Sequence, residues 1–278
     1  MTYRELLKRG EGTLKAAGIA DAESDARILL FETTGLSLTS YALRSGEKVP
    51  ENEVPAYLEC VGLRAKRIPI QYMLGRASFA GREFAVGEGV LIPRFDTETL
   101  TEAILPRLRP GMRLLDLCTG SGCILLTLLL DGPRGLEGTG SDISGTALDC
   151  AAWNAKAFGA ECALIQSDLF EHIDGIYDII TANPPYIRTE VIETLAPEVR
   201  DHEPHLALDG GEDGLDFYRR IIEEAPRHLE NGGLLGLEIG YDQAEDVCCM
   251  METGGFGEVT IRRDLAWNTR AVIGVYHV

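Results

Sequence analysis

Up to about residue 75 the apolar residues recur at helical intervals. Ala22, Ala26, Leu29 and Leu30 follow Asp21, and Val54, Leu58, Val61 and Ala65 follow Pro50-Glu51. Residues three and four apart share one helix face, so each set predicts an amphipathic helix. Thr2 and Glu5 have the spacing of a capping box. Arg64, Lys66 and Arg67 fall in a last turn, where cations suit the helix dipole, and Pro69 is expected to stop that helix. Two uses fit such a unit: a packed cap with a solvated charged face, which spacing favours, or a recognition module for a protein partner.

The period changes further on. Residues 78–86 alternate weakly around Gly81-Arg82, which predicts a β-hairpin, and a helix is expected after Thr97. From about residue 100 short apolar runs alternate with helical stretches. Strands are predicted at 113–117, 138–143, 162–166, 177–182, 233–239, 257–262 and 271–276. Helices are predicted at 123–130 and at 144–158, the latter with Ser144 as N-cap. This order predicts an α/β fold, a doubly wound sheet with helices on both faces. The division drawn is residues 1–75, a helical domain with substrate recognition as one of its two candidate uses; 76–92, a β-hairpin linker; and 93–278, the sheet domain.

Composition narrows the picture little. Apolar residues make up 45 % and charged residues 25 %, ordinary for a globular protein. The net charge of -18 matters more. So acidic a chain repels a polyphosphate backbone, and its densest basic run is only Arg64-Ala65-Lys66-Arg67. Nucleic acid is therefore a disfavoured substrate. Seven cysteines without a CxxC pair point to reduced, packed thiols rather than a disulfide framework or structural zinc. No signal peptide is expected, and the longest apolar run, 123–130, is too short to span a bilayer.

The candidate chemistry sits where strands end. Thr119-Gly120-Ser121-Gly122 follows the first sheet strand, and glycines there let backbone approach a ligand closely. A dinucleotide fingerprint would need glycine at 125, where this chain has Leu125. Adenosine without a pyrophosphate fits better than NAD or FAD. Asp142, 20 residues beyond Gly122, is placed to accept hydrogen bonds from ribose hydroxyls; its other reading is a helix-capping Asp. Asp168 is a candidate partner for an adenine amino group, with Leu169 or Phe170 over the ring; a turn Asp before core residues is the alternative. After 177–182 comes Asn183-Pro184-Pro185-Tyr186. Prolines stiffen this loop, so it offers acceptors and an aromatic face on a rigid frame. That suits gripping a planar group bearing NH2.

Asn183-Pro184-Pro185-Tyr186 resembles the signature of class I S-adenosylmethionine-dependent methyltransferases acting on adenine N6, cytosine N4 or glutamine amide nitrogen. From about residue 20 onward the chain resembles the HemK/PrmC family of protein-(glutamine-N5) methyltransferases. The matching segments are 69–75, 91–98, 116–122, 183–187, Glu203-Pro204 with Ala207-Leu208, then Gly210-Gly211 with 213–215, and 237–240 with Gln243. Phe95 stands where the family has Pro, and Cys118 where it has Gly.

The resemblance implies a Rossmann-like class I methyltransferase domain with a small N-terminal helical domain. It implies S-adenosylmethionine as methyl donor, S-adenosylhomocysteine as product, and the Gln of the Gly-Gly-Gln loop of peptide chain release factors as acceptor. Cys118, Thr119, Gly120, Ser121, Gly122, Asp142, Asp168, Leu169 and Asn183 are then the expected cofactor contacts. Asn183, Pro184, Pro185 and Tyr186 are the expected catalytic and substrate contacts. The Asn183 side-chain oxygen and the Pro184 carbonyl are expected to accept both N–H bonds of the target amide, with Tyr186 packed on its plane. No metal, no membrane and no direct nucleic-acid substrate are expected, and a cytoplasmic monomer is. His202 and His205 read as loop residues, 209–216 as a solvated acidic loop, and Trp267 as core. The competing readings are a nucleic-acid amino-methyltransferase and a non-catalytic adenosine-binding interaction protein.

Overall fold

The computed structural model describes residues 1–277, which form two compact units. The first comprises Met1–Gly75 and Ala196–His202, the second Arg76–Leu195 and Glu203–Val278.

The first unit is helical: α1 (Tyr3–Ala16), α2 (Ala22–Thr34), α3 (Leu38–Arg44), α4 (Glu53–Ala65) and α5 (Ile70–Leu74). Thr2 and Glu5 form both halves of the capping box at the start of α1. Leu6 and Leu14 of α1, Ala26, Leu29 and Leu30 of α2 and Tyr57 and Val61 of α4 close its core. The helix α4 ends at Ala65, short of Pro69, which instead starts α5. Arg64 is buried rather than a solvated last-turn cation. Its Nε donates to Asp25 at 2.7 Å and its Nη1 to Glu198 at 3.0 Å; Glu198 belongs to the Ala196–His202 segment and also accepts from Arg67.

In the second unit, β1 (Arg76–Phe79) and β2 (Arg82–Ala85) form the hairpin. Phe79 and Phe84 bury into the same core as Leu114 and Ile179, and the hairpin falls within this unit. Then follow α6 (Glu98–Ile104), β3 (Arg113–Leu117), α7 (Cys123–Asp131), β4 (Glu137–Asp142), α8 (Gly145–Phe158), β5 (Ala163–Gln166) and β6 (Tyr177–Ala182). After α9 (Thr189–Ile192) and α10 (Pro197–Arg200), which lies in the first unit's segment, come α11 (Asp216–Glu224), β7 (Leu229–Glu238), α12 (Ala244–Thr253), β8 (Phe256–Arg263) and β9 (Thr269–Tyr276).

The seven strands run in the order β5-β4-β3-β6-β7-β9-β8. Those from β5 to β7 are parallel, and β9 pairs antiparallel with both β7 and β8. Alternate residues of a strand face opposite sides. Leu115 and Leu117 of β3 pack toward Ile221 of α11 and Met251 of α12, whereas Leu114 packs toward Ile104 of α6 and Leu125 of α7. Both faces are thus covered, as a parallel sheet requires. The chain leaves β3 toward β4 and β5, then returns to β6 on the other side of β3. A crevice opens at the carboxyl ends of strands where the order reverses in this way, and ligands bind there.

Candidate active site

A cavity of about 300 Å³ lies at that reversal. Its walls come from the ends of β3, β4 and β6, the turn after β5, residues 91–94, the turn at 204–207 and α11. Cys118, Thr119, Gly120, Ser121, Asp142, Asp168, Leu169, Asn183 and Pro185 all line it; Gly122, Pro184 and Tyr186 do not.

The glycine turn is built by a buried acid. Asp116, on β3, accepts from Thr119 Oγ1 at 2.6 Å and from Thr181 Oγ1 at 2.7 Å, joining β3, the turn and β6. Burial pushes its carboxyl up to about 6, against the two hydroxyl hydrogen bonds that favour its charge. Cys118 and Gly120 adopt left-handed φ of 54° and 57°. A glycine takes that conformation freely, while a side chain there costs on the order of 1 kcal/mol. Burial, with carboxylates nearby, raises the Cys118 thiol far above its usual range, which argues against a reactive thiolate. A Cβ added at Gly120 would meet only the Cys118 carbonyl, at 4.0 Å, so that face opens into the cavity. Ser121 Oγ is buried without a partner among the described residues.

Asp142 serves as both strand-end acid and local cap. Its two oxygens accept from Gly120 N and Ser144 N, each at 2.9 Å, while Ser144 caps α8. Burial raises its pKa despite those bonds. Asp168 accepts from Arg220 Nη2 at 2.8 Å, and the Arg220 guanidinium lies 5.7 Å from the Phe217 ring centroid. Leu169, at φ 50°, lines the cavity. Phe170 is instead core, stacked 4.8 Å from His228.

At the far end Asn183 Nδ2 donates to Thr97 Oγ1 at 3.4 Å, and no donor among the described residues reaches its oxygen or the Pro184 carbonyl. Tyr186 points its hydroxyl at Glu238 Oε1, 3.3 Å away. Burial and that carboxylate raise the phenol pKa. Gln243 braces the loop from behind, donating to the carbonyls of Tyr186 and Gly214 at 3.0 and 3.1 Å and accepting from Gly240 N. Glu203, also buried, accepts from Ile92 N at 3.1 Å and pairs with Arg94, holding the 91–94 wall. Sequence reasoning missed Thr97, Glu238, Phe217 and Arg220. Of these, Thr97 and Glu238 stand inside segments already matched to a family.

Trp267 is exposed at the β8–β9 turn with φ 67°, not core, and Phe95 is exposed. Among the described residues no group of three or more His, Cys, Asp or Glu is placed to hold a metal, and no helix is long and apolar enough to cross a membrane.

Sheet order, glycine turn and strand-end acid define a Rossmann-like methyltransferase of class I. Residues 5–75 match the PrmC N-terminal domain and 79–201 the methyltransferase small domain. The release factor glutamine methyltransferase of Agrobacterium fabrum is 41 % identical over 267 residues, 93 % of this chain and 92 % of that one. Two solved structures share the fold. A methyltransferase from Pyrococcus furiosus has TM-score 0.55 and 17 % identity, covering 78 % of this chain and 100 % of that one. The T. thermophilus 16S rRNA N2 G1207 methyltransferase, in complex with AdoMet and guanosine, has TM-score 0.50 and 19 % identity, covering 73 % of this chain and 50 % of that one. The chain belongs to the release factor glutamine methyltransferase family.

Proposed function

We propose that this protein transfers a methyl group from S-adenosylmethionine to the side-chain amide N5 of the glutamine in the Gly-Gly-Gln motif of peptide chain release factors. Near-full-length identity to release factor glutamine methyltransferases supports the class of acceptor. The observation that carries the chemistry is the Asn183 amide, anchored through its nitrogen on Thr97 with its oxygen left untaken in the cavity wall.

The cavity suits an adenosyl group. It combines apolar walls such as Leu169 and Ile143, the strand-end carboxylate of Asp142, the open face of Gly120 and the unpartnered Ser121 hydroxyl. Residues 118–122, Asp142, Asp168, Leu169 and Asn183 would hold it. S-adenosylmethionine supplies a methyl group on a sulfonium, already electrophilic.

The protein's task is then the nucleophile, because an amide nitrogen lends its lone pair to its carbonyl. Asn183 Oδ1 and the Pro184 carbonyl accept its two N–H bonds, aim the nitrogen and stabilise the positive charge it gains. This is positioning with preorganised electrostatics. Tyr186 backs the loop through Glu238, its ring being the surface on which the flat amide packs. The acceptor protein is recognised in part by the N-terminal helical unit. The working unit in this reading is a monomer acting in the cytoplasm, where release factors act.

The test is transfer of labelled methyl from S-adenosylmethionine to a purified release factor, beside the same factor with the Gly-Gly-Gln glutamine changed to alanine. Label on the first alone is the expected result. Label on neither, with cofactor binding intact, overturns the acceptor assignment.

A further inference from the structure

Many guanidiniums of this acidic chain answer a carboxylate, among them Arg64, Arg94, Arg219 and Arg270. Three that do not are gathered on one open groove of about 310 Å³, between α6 with the turn after it and the end of β8. Arg107, Arg262 and Arg263 line the groove, and all three are exposed. Among the described residues Arg107 and Arg262 make no ion pair or side-chain hydrogen bond, and Arg263 donates only to the Trp267 carbonyl, at 2.8 Å. One carboxylate, exposed Glu102, shares the groove and pairs with none of them. Ala103 and Pro106 add apolar surface, and no aromatic side chain is among the lining residues. Like charges held together without a counter-charge favour the arrival of an anion.

The groove adjoins the reacting end of the site. Thr99, which lines it, stands two residues past Thr97, the partner of the Asn183 amide. On the other side Arg263 leads into the turn where Arg270 bridges Asp264 to Asp96, the neighbour of Thr97. Because β9 is antiparallel to both β7 and β8, the Arg262–Arg263 end of β8 lies at the same end of the sheet as the carboxyl end of β7.

We propose that this groove docks an acidic segment of the acceptor protein and so orients that protein over the acceptor loop. This rests on the reading of a release factor as the acceptor. With a net charge of -18, most of the chain repels an acidic partner, so a local cluster of cations fixes where an acidic stretch can land. A guanidinium also meets a carboxylate with paired N–H bonds. Single-stranded nucleic acid is held by aromatic rings on which bases stack as well as by cations, and the groove offers no ring. A second copy of the chain would bring the same net negative charge against itself.

The test uses an intact, purified release factor as the probe. Binding is followed by fluorescence anisotropy, and methyl transfer gives kcat and KM, each at about 50 mM and about 500 mM salt. The variant combines Arg107→Gln with Arg262→Gln, since neither side chain holds any other part of the chain. At low salt Kd and KM for the release factor should rise roughly 5–10-fold, with kcat and affinity for S-adenosylmethionine within about two-fold of wild type. At high salt the advantage of the wild type should disappear, because the attraction is screened. Arg107→Glu with Arg262→Glu should lose more at low salt than the neutral pair.

Wild-type Kd and KM in the Gln variant at both salts overturn the proposal, and so does a loss that is as large at high salt as at low. A loss confined to binding of a short single-stranded RNA, or a wild-type dimer in sedimentation that the variant lacks, overturns it in favour of that occupant. Salt-sensitive binding of the release factor that weakens in the Gln variant, with no methyl transferred by the wild type, keeps the docking and overturns the glutamine assignment.

Discussion

The two ends of the cavity are held by different means. At the Asp142 end the ligand-facing groups are fixed by backbone: a carboxylate accepts from Gly120 N and Ser144 N, one in the glycine turn and one at a helix start. Backbone N–H groups are donors at every pH, so the direction of each bond is settled once the chain folds. At the Asn183 end the groups are fixed by side-chain hydroxyls, Thr97 and Tyr186, around a buried acid. A hydroxyl both donates and accepts, so the same geometry carries either polarity. Binding is thus entrusted to the part of the site with one possible arrangement, and reaction to the part with two.

Asn183→Ala probes the reacting end most directly. Loss of a preorganised acceptor should lower methyl transfer on the order of 10²–10³-fold, with cofactor affinity from calorimetry little changed. Asp142→Asn should do the reverse. It should weaken cofactor binding by roughly 10-fold or more and leave kcat at saturating cofactor within a few-fold, because one oxygen no longer accepts. If the loss fell on kcat instead, the division between the two ends would not hold.

A stability measurement sharpens the contrast further. The Glu238 carboxyl rises from an ordinary 4.5 to about 7 on folding. Between those values the folded protein keeps a proton that the unfolded chain has released, so this group's contribution to stability falls as pH rises through that window. Glu238→Gln removes the charge. It should make the protein more stable than wild type by about 3 kcal/mol at alkaline pH, and the gain should vanish below the lower value, as read by urea denaturation. The smallest effect is expected at the binding end. Cys118→Gly relieves a left-handed φ of 54°, and the melting temperature should rise by an amount worth about 0.5–1 kcal/mol. Alkylation at neutral pH should reach exposed Cys249 well before Cys118, as peptide mapping would show.

The binding end was also the more legible one in the sequence. Glycines, strand ends and the interval from Gly122 to Asp142 are local signals, and a ligand turn advertises itself through residues that backbone geometry demands. The positions at which Cys118 and Leu169 carry left-handed backbone are not visible that way, nor is the choice of Leu169 over Phe170 as the wall residue. The brace of the reacting end was hidden because Thr97, Tyr186 and the Glu238–Gln243 stretch are far apart in sequence, and Tyr186 meets the last only once β6 and β7 are paired. In the helical unit a signal existed and was misread. Tyr57, Val61 and Arg64 are spaced as one helix face, and all three are buried, Arg64 with its charge answered by Asp25 and Glu198. Trp267 failed in the other direction. The turn around it is closed by Asp264 accepting from Asn268, which needs no packed aromatic, and the indole is left outside.

The discontinuous make-up of the first unit limits how this protein can be rebuilt. Glu198, more than a hundred residues downstream of α4, supplies the second carboxylate to Arg64. A chimera that exchanges residues 1–75 as a single cassette would carry Arg64 with Asp25 but leave its second carboxylate behind, and a buried guanidinium that loses one of its two acids is destabilised. A graft between relatives has to carry two pieces of chain, or choose donor and recipient that already agree at the residue facing Arg64.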